Sequence, residues 1–371
     1  MNERFSKFNT GLLADRKITQ LMIFTALIFI FFSYVSKDIF FTSSNFVSMA
    51  YQIPEIAILS IALMLSMLTG GIDLSIVSIS NAAALVASWV MTTKMGESEN
   101  LSNKWIIIAC VLGTIVGLLA GAVNSILVAR LNVTPILATL ATMTLFNGIA
   151  IGMTNGESVS GLPEQFMRVG NGTFFGIPTP FVLMILIAIA VGFLVNRTTL
   201  GLKVFLVGTN RKAAQYSVMG DRKVIAWVYL ISGLLSSLAG LIIASRTSAA
   251  SPDFGSSYIL LAIVIVVLGG VNPNGGFGTV TGVILATAVL QMVSSGFNAL
   301  RFSQFFYLAA QGGVLIFVMI LNVVLENRRT NKSIAKSMRS IAVGAAGGPR
   351  FGPAHHAQYK GGLSQLSRQW Q

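Results

Sequence analysis

The chain has 371 residues, 54% of them apolar and only 10% charged, and its mean hydropathy is +0.77. That composition excludes a water-soluble fold, in which about a quarter of the residues would be charged. The 25 Lys and Arg outnumber the 12 Asp and Glu, but they sit between apolar runs, so they point to loops beside a lipid membrane and to no nucleic-acid partner.

A helix needs about 20 apolar residues to cross a bilayer. Read in order, the chain predicts an all-α, polytopic membrane bundle with about ten spans, near 20–36, 53–69, 76–93, 105–128, 135–152, 180–196, 225–245, 257–271, 278–296 and 306–325. The eighth is notably short. The first run follows basic residues as a signal peptide would, but Lys37 and Asp38 come next without a small-residue cleavage site, so it reads as a retained helix. With residues 1–19 in the cytoplasm, alternate loops face inward, and the Lys and Arg divide into 19 inside and 6 outside. Both termini are therefore expected in the cytoplasm. The resulting organisation is an N-terminal cytoplasmic segment 1–19, a transmembrane domain 20–327 whose longest inner loop is 197–224, and a cytoplasmic tail 328–371. From Ile341 onward the tail is rich in Gly, Ser, Gln and Arg and reads as disordered.

Small residues recur every fourth position at Gly113, Gly117 and Gly121 and at Gly278, Gly282 and Ala286. Such spacing lets helix backbones approach where lipid provides no hydrophobic drive, and it predicts that these helices are buried in the bundle. Cys110 lies in an apolar run and reads as packing. The two histidines, His355 and His356, are adjacent in the tail without further metal ligands. No GxxxxGK[ST] pattern exists, and the glycine-rich run Gly269–Gly278 lacks the Lys of a phosphate cradle. No catalytic residue, cofactor or metal is expected, and any ATP hydrolysis belongs to other subunits.

Two carboxylates interrupt the apolar runs. Asp73, in Thr69-Gly70-Gly71-Ile72-Asp73-Leu74-Ser75, stands just before the next span, where an N-cap and a solute contact are both open readings. Glu55 follows Pro54 at the expected start of the second span, where a first-turn carboxylate meets the positive end of the helix dipole. In the 197–224 loop, residues 210–219 read as a two-turn helix capped by Thr209 or Asn210 and ended by Gly220. So short a helix is marginal alone, and its small Ala213-Ala214 pair suits a close protein groove better than a lipid surface.

Taken together, TGGIDLS at 69–75, VTPILATLATM at 133–143, VGTNRKAA at 207–214, SGLLSSLAGLI at 232–242, VVLGGVNPNGGFGTVTG at 266–282 and the stretch Tyr307–Gln311 resemble the permease subunits of ATP-binding-cassette importers of the ribose, xylose and autoinducer-2 type. The resemblance covers roughly residues 20–325. It implies a multi-pass protein of the bacterial inner membrane and a second permease, either a copy or a paralogue. It also implies two cytoplasmic ATPase subunits and a periplasmic binding protein that delivers the solute. The 210–219 helix then becomes the coupling helix, with Gly208, Asn210, Ala213, Ala214 and Gly220 as its coupling residues. The sequence departs from the family pattern at Val77, where a glycine is usual, at Ser217-Val218-Met219, where Ser-Gly-Ile is common, and at Leu260, where an acidic residue is common. On this resemblance the solute is a small polar molecule of the monosaccharide (ribose-like) or autoinducer-2-like type. Polar residues at Asp73, Asn81, Asn124, Asn147, Gln291 and Gln311 are candidates for lining its path, and each serves equally well as an interhelical hydrogen bond. The alternatives are a secondary transporter or channel without an ATPase partner, or a permease of the same superfamily for nucleosides or branched-chain amino acids.

Overall fold

The computed structural model describes residues 16–95, 103–216, 220–303, 305, 306, 309, 312, 313 and 316. Thirteen α-helices are defined among them, and eight are long and apolar enough to cross a membrane. These are α1 (Arg16–Val35), α3 (Ser43–Leu68), α4 (Ile76–Met95), α5 (Asn103–Ser125, extended by a π-turn at Ile126–Arg130), α6 (Pro135–Thr154), α8 (Thr179–Arg197), α11 (Asp221–Thr247) and α13 (Val280–Ala299). Between them lie α2 (Lys37–Phe40), α7 (Glu164–Asn171), α9 (Thr199–Thr209), α10 (Arg211–Tyr216) and α12 (Tyr258–Leu268). The architecture is the expected all-α polytopic bundle. The expected tenth span and the tail fall largely outside the described residues.

Two helices form the hub. The apolar stretches of α3 and α11 are 83% and 78% buried, against 17–28% for those of α1, α5, α6 and α8. The outward faces of those four helices carry large apolar side chains such as Leu119, Leu137, Leu186 and Phe193, the surface that lipid requires. The glycine stripe on α5 does what its spacing predicts on one face only. A Cβ on Gly113 would lie 2.7 Å from the Ala83 carbonyl oxygen, on Gly117 2.6 Å from that of Gly233, and on Gly121 2.6 Å from that of Tyr229. Thus α5 lies backbone to backbone against α4 and α11, while its remaining faces point outward, and the expectation of a wholly buried helix is corrected. On α13, Gly282 meets the backbone of Gly269 in the same manner.

Two further expectations change. The second span begins ten residues earlier than hydropathy suggested, with Thr42 accepting from the Asn45 N–H at 3.3 Å, so Pro54 and Glu55 lie mid-helix and the first-turn reading of Glu55 is overturned. The eighth span is an 11-residue helix, α12, which rises only about 16 Å at 1.5 Å per residue. Its approach, residues 251–257, turns into the bundle, where the Asn81 amide donates to the carbonyls of Pro252 at 2.8 Å and Phe254 at 2.9 Å. Those bonds satisfy backbone groups that irregular chain would otherwise leave unpaired at membrane depth. Four two-residue strands complete the described residues: Val159–Ser160 pairs antiparallel with Ala249–Ala250, and Thr173–Phe174 pairs with Ile177–Pro178.

The close approach between α5 and α11 is testable. Gly117→Leu should lower the melting temperature in detergent, with an overpacking cost of about 1–3 kcal/mol. Gly192→Ala, at a position where nothing lies within 4 Å, should leave it unchanged or raise it slightly.

Candidate functional site

Loops that the charge pattern assigns to one side converge at the ends of α3, α9 and α13. The turn after α3 runs through Thr69, Gly70 and Gly71, with Gly70 at φ +81°, a conformation that glycine adopts at no steric cost. The loop between α12 and α13 approaches it through Gly275 (φ +92°) and Gly276 (φ +81°), and the Gly276 N–H donates to the Leu68 carbonyl at 3.0 Å. Gly208, at the end of α9, closes the arrangement. Any Cβ there would collide with the Leu68 carbonyl oxygen, and one on Gly275 would lie 2.7 Å from the Gly70 nitrogen and 2.9 Å from the Gly208 oxygen. Three segments therefore touch main chain to main chain, and each supplies a glycine because no larger residue fits.

Immediately beyond this junction stands α10. Asn210 caps it, its side-chain oxygen accepting from the Ala213 N–H at 3.0 Å, as expected for this residue. Ala213 is exposed and Ala214 buried. Residues Arg211–Tyr216 of the expected 210–219 helix are described as α10, and positions 217–219 lie outside the described residues. Gly220 is left-handed (φ +63°) and opens directly into α11. Arg211 ties α10 down. Its Nε lies 3.5 Å from the Asp221 carboxylate and its Nη2 3.4 Å from the Asn132 side-chain oxygen, while Gln215 donates to the same Asp221 oxygen at 3.1 Å. A cavity of about 230 Å³ opens beside the junction, lined among others by Gly71, Pro135, Gly208, Arg211, Tyr229 and Asn274.

From the junction a polar chain runs into the bundle. Asp73 is fully buried. One carboxylate oxygen accepts from the Ser75 N–H at 3.1 Å and the Ser75 hydroxyl at 2.6 Å, and the other accepts from the Ser232 hydroxyl at 2.8 Å. Ser75 Oγ in turn accepts from Asn124 Nδ2 at 2.7 Å, and Asn124 Oδ1 accepts from the Thr142 hydroxyl at 2.7 Å. The N–H of Leu74 reaches Thr139 on the same face of α6, at 3.1 Å. The N-cap reading of Asp73 is thereby corrected: Ser75 holds the position before the first residue of α4, and the carboxylate joins the turn to α11. A carboxyl group in so apolar a site is tolerated only when its oxygens are satisfied, and here two hydroxyls and an N–H do so.

The remaining path candidates are placed apart. Asn81 holds the approach to α12, Asn147 is half-buried on α6, and Gln291 on α13 donates to Gln52 on α3 at 3.1 Å. Gln311 lies outside the described residues. Asp73 and Asn124, both without exposed surface, meet through Ser75. Sequence reasoning missed Ser75, Thr139, Thr142 and Ser232, which look like ordinary small span residues. It also missed the pairing of Glu55 with Arg246, whose guanidinium grips the carboxylate through Nε and, at 3.1 Å, Nη2. No local signal connects residues 191 positions apart.

Comparison with known proteins bears on this arrangement. The sequence model of the family described as "Branched-chain amino acid transport system / permease component" matches residues 45–322, a range that contains the junction, α10 and the Asp73 chain. Similar curated proteins include the ribose import permease protein of Bacillus subtilis, 33% identical over 281 residues, or 75% of this chain and 84% of that relative. The ribose import permease protein of Escherichia coli K12 is 32% identical over 294 residues, covering 78% and 88% respectively. The autoinducer 2 import system permease protein of Yersinia pseudotuberculosis is 29% identical over 311 residues, covering 80% and 89%. No solved structure matches the chain.

The Asp73 chain gives a stability test. Asp73→Ala strands the buried Ser75 and Ser232 donors, each at a cost of about 1–3 kcal/mol. Thermal unfolding in detergent should show a larger loss for this variant than for Asp73→Asn, which keeps the shape and one acceptor.

Proposed function

Because this chain belongs to the family described as the permease component of branched-chain amino acid transport systems, we propose that it is the membrane-spanning subunit of an ATP-binding-cassette importer for a small polyhydroxylated solute of the monosaccharide type. It is a multi-pass inner-membrane protein. The family description is broad. Relatives named for ribose and autoinducer 2 import, at 29–33% identity over three quarters or more of the chain, favour a sugar-like solute over an amino acid or a nucleoside.

The observation that carries the coupling mechanism is the glycine junction beneath an exposed, capped helix. On this reading both termini are cytoplasmic, and α10 with Ala213 outward docks in a cleft of a cytoplasmic ATPase subunit. Gly208, Asn210, Ala214 and Gly220 set its position. Closure of the ATPase pair displaces α10, and the displacement passes by two routes. One runs through Gly208 to the Leu68 and Gly276 main chain, and so to α3 and α13. The other runs through Arg211 to Asp221 at the start of α11. Because contacts at the junction are between main chains, little is lost to side-chain rotation. The solute, delivered by a periplasmic binding protein, passes between this chain and a second permease, copy or paralogue. Gln291 then serves as a path contact, whereas Asp73 and Asn124 act as the clamp that keeps the spans in register. A secondary transporter would need an embedded carboxylate available to a coupling ion. Asp73 and Glu55 are both engaged, which disfavours that alternative.

Ala213→Arg blocks the docking face without touching the core, so it should abolish co-purification of the ATPase subunits while shifting stability by less than about 0.5 kcal/mol. Normal assembly of that variant would overturn the assignment of α10. Gly208→Ala should leave the ATPase bound yet cut ATP-driven uptake at least about tenfold, since a Cβ there separates the junction and small displacements near a coupled site carry large rate effects.

A further inference from the structure

We propose that the faces of α3 and α13 carrying Gln52 and Gln291, with the neighbouring Glu55, Arg246 and Tyr258, form a station where an uncharged polyhydroxylated solute is held during its passage. This rests on the permease reading above and adds the residues that meet the solute.

Gln52 is the tenth of 26 residues in α3 and Gln291 the twelfth of 20 in α13, so both lie well inside spans. They are hydrogen-bonded to each other, Gln52 exposed and Gln291 half-buried. Primary amides are costly against hydrocarbon. In the middle of a lipid-facing span such as α8 the exposed side chains are apolar, namely Ile185, Leu186, Ile189, Ala190 and Phe193, and the exposed polar ones, Asn196 and Arg197, come only at its end. The α3–α13 face is therefore one that water or solute reaches. Its single bond uses Gln291 Nε2 and Gln52 Oε1, leaving Gln52 Nε2 and Gln291 Oε1 with no partner among the described residues. These are a donor and an acceptor side by side, the pattern that a hydroxyl group satisfies.

One turn along α3 from Gln52 is Glu55, held bidentately by Arg246 from the end of α11 and hydrogen-bonded by Tyr258 at the start of α12. Helices α3, α12 and α13 pack against one another, which brings the amide pair and the ion pair to one region. Arg246 keeps a quarter of its side chain exposed. Glu55 is the one Asp, Glu, Lys, Arg or His of α3, and α13 has none. Since Arg246 neutralises Glu55, the station offers many hydrogen-bonding groups and no net charge. An uncharged solute with several hydroxyls fits that surface, whereas an anion or cation would meet no compensating charge.

The test uses the assembled importer in proteoliposomes, in a Cys110→Ser background. Gln52→Cys and Gln291→Cys, read independently, should each react with a membrane-impermeant thiol reagent at least about tenfold faster than Ile189→Cys, which lipid shields. Their rates should also differ between the ATP-free and vanadate-trapped states. If both positions resist the reagent in both states, or cross-link only to a second copy while excluding it, the face is not a path and the proposal falls. In cells, Gln52→Ala and Gln291→Ala should reduce uptake of radiolabelled ribose severalfold with ATPase association intact, and unchanged uptake overturns the station. If the unmodified importer takes up no ribose while the cysteines still label in a nucleotide-dependent way, the sugar reading fails and the path face stands.

Discussion

Main-chain contact between helices is the constraint from which the rest of this structure follows. In lipid, apolar side chains gain nothing by leaving their surroundings for one another, so helices associate through close van der Waals contact and hydrogen bonds. The chain meets that demand by removing side chains where helices cross. Gly113, Gly117 and Gly121 bring α5 onto α4 and α11, and Gly70, Gly208, Gly275 and Gly276 bring three separate segments onto the end of α3. With backbones this close, the short hydroxyls of Ser75, Thr139, Thr142 and Ser232 can span from one element to the next and surround Asp73. The buried carboxylate is thus possible because the helices approach so closely, and it in turn fixes their register.

The two ends of the bundle balance main-chain and side-chain contacts differently. At the end bearing α10, the main-chain contacts of the glycine junction stand beside the bonds of Arg211 and Gln215 to Asp221. At the other end, Gly170 lies against the main chain of Arg246, and side chains make most of the hydrogen bonds. Arg246 holds Glu55, Asn171 donates to the Ser245 carbonyl at 3.1 Å, Tyr51 donates to the Asn171 carbonyl at 3.1 Å, and Ser245 donates to the Phe166 carbonyl at 2.5 Å. Such contacts have directional geometry and can be exchanged for others singly.

Hydropathy alone located eight long helices, and the four-residue glycine spacing identified the face on which α5 packs. A cap at Thr209 or Asn210 was legible because capping depends on residues within one helical turn, and Asn210 fills the role. What stayed hidden depends on distance along the chain. Nothing in the sequence around Glu55 announces Arg246, and Pro54 suggested a helix start because proline is tolerated in a first turn, whereas α3 accommodates it internally. The brevity of the eighth span was visible, but its cause was not: Asn81, 171 residues before Pro252, holds the approach to α12 inside the bundle. The motifs TGG, VGTN and NPNGG were each visible in the sequence, and only the folded chain shows that they meet main chain to main chain.

The unbroken length of α11 has a mechanical meaning. It begins directly after Gly220, is anchored near its start by Arg211 through Asp221, and ends 27 residues later beside Glu55. At 1.5 Å per residue it is a rigid arm of about 40 Å. Pivoted at its Gly220 end, a tilt of about 4° carries the other end about 3 Å over that length, the span of one hydrogen bond. A rotation too small to unsettle the packing of its glycine-lined neighbours is therefore enough to decide whether Arg246 still holds Glu55.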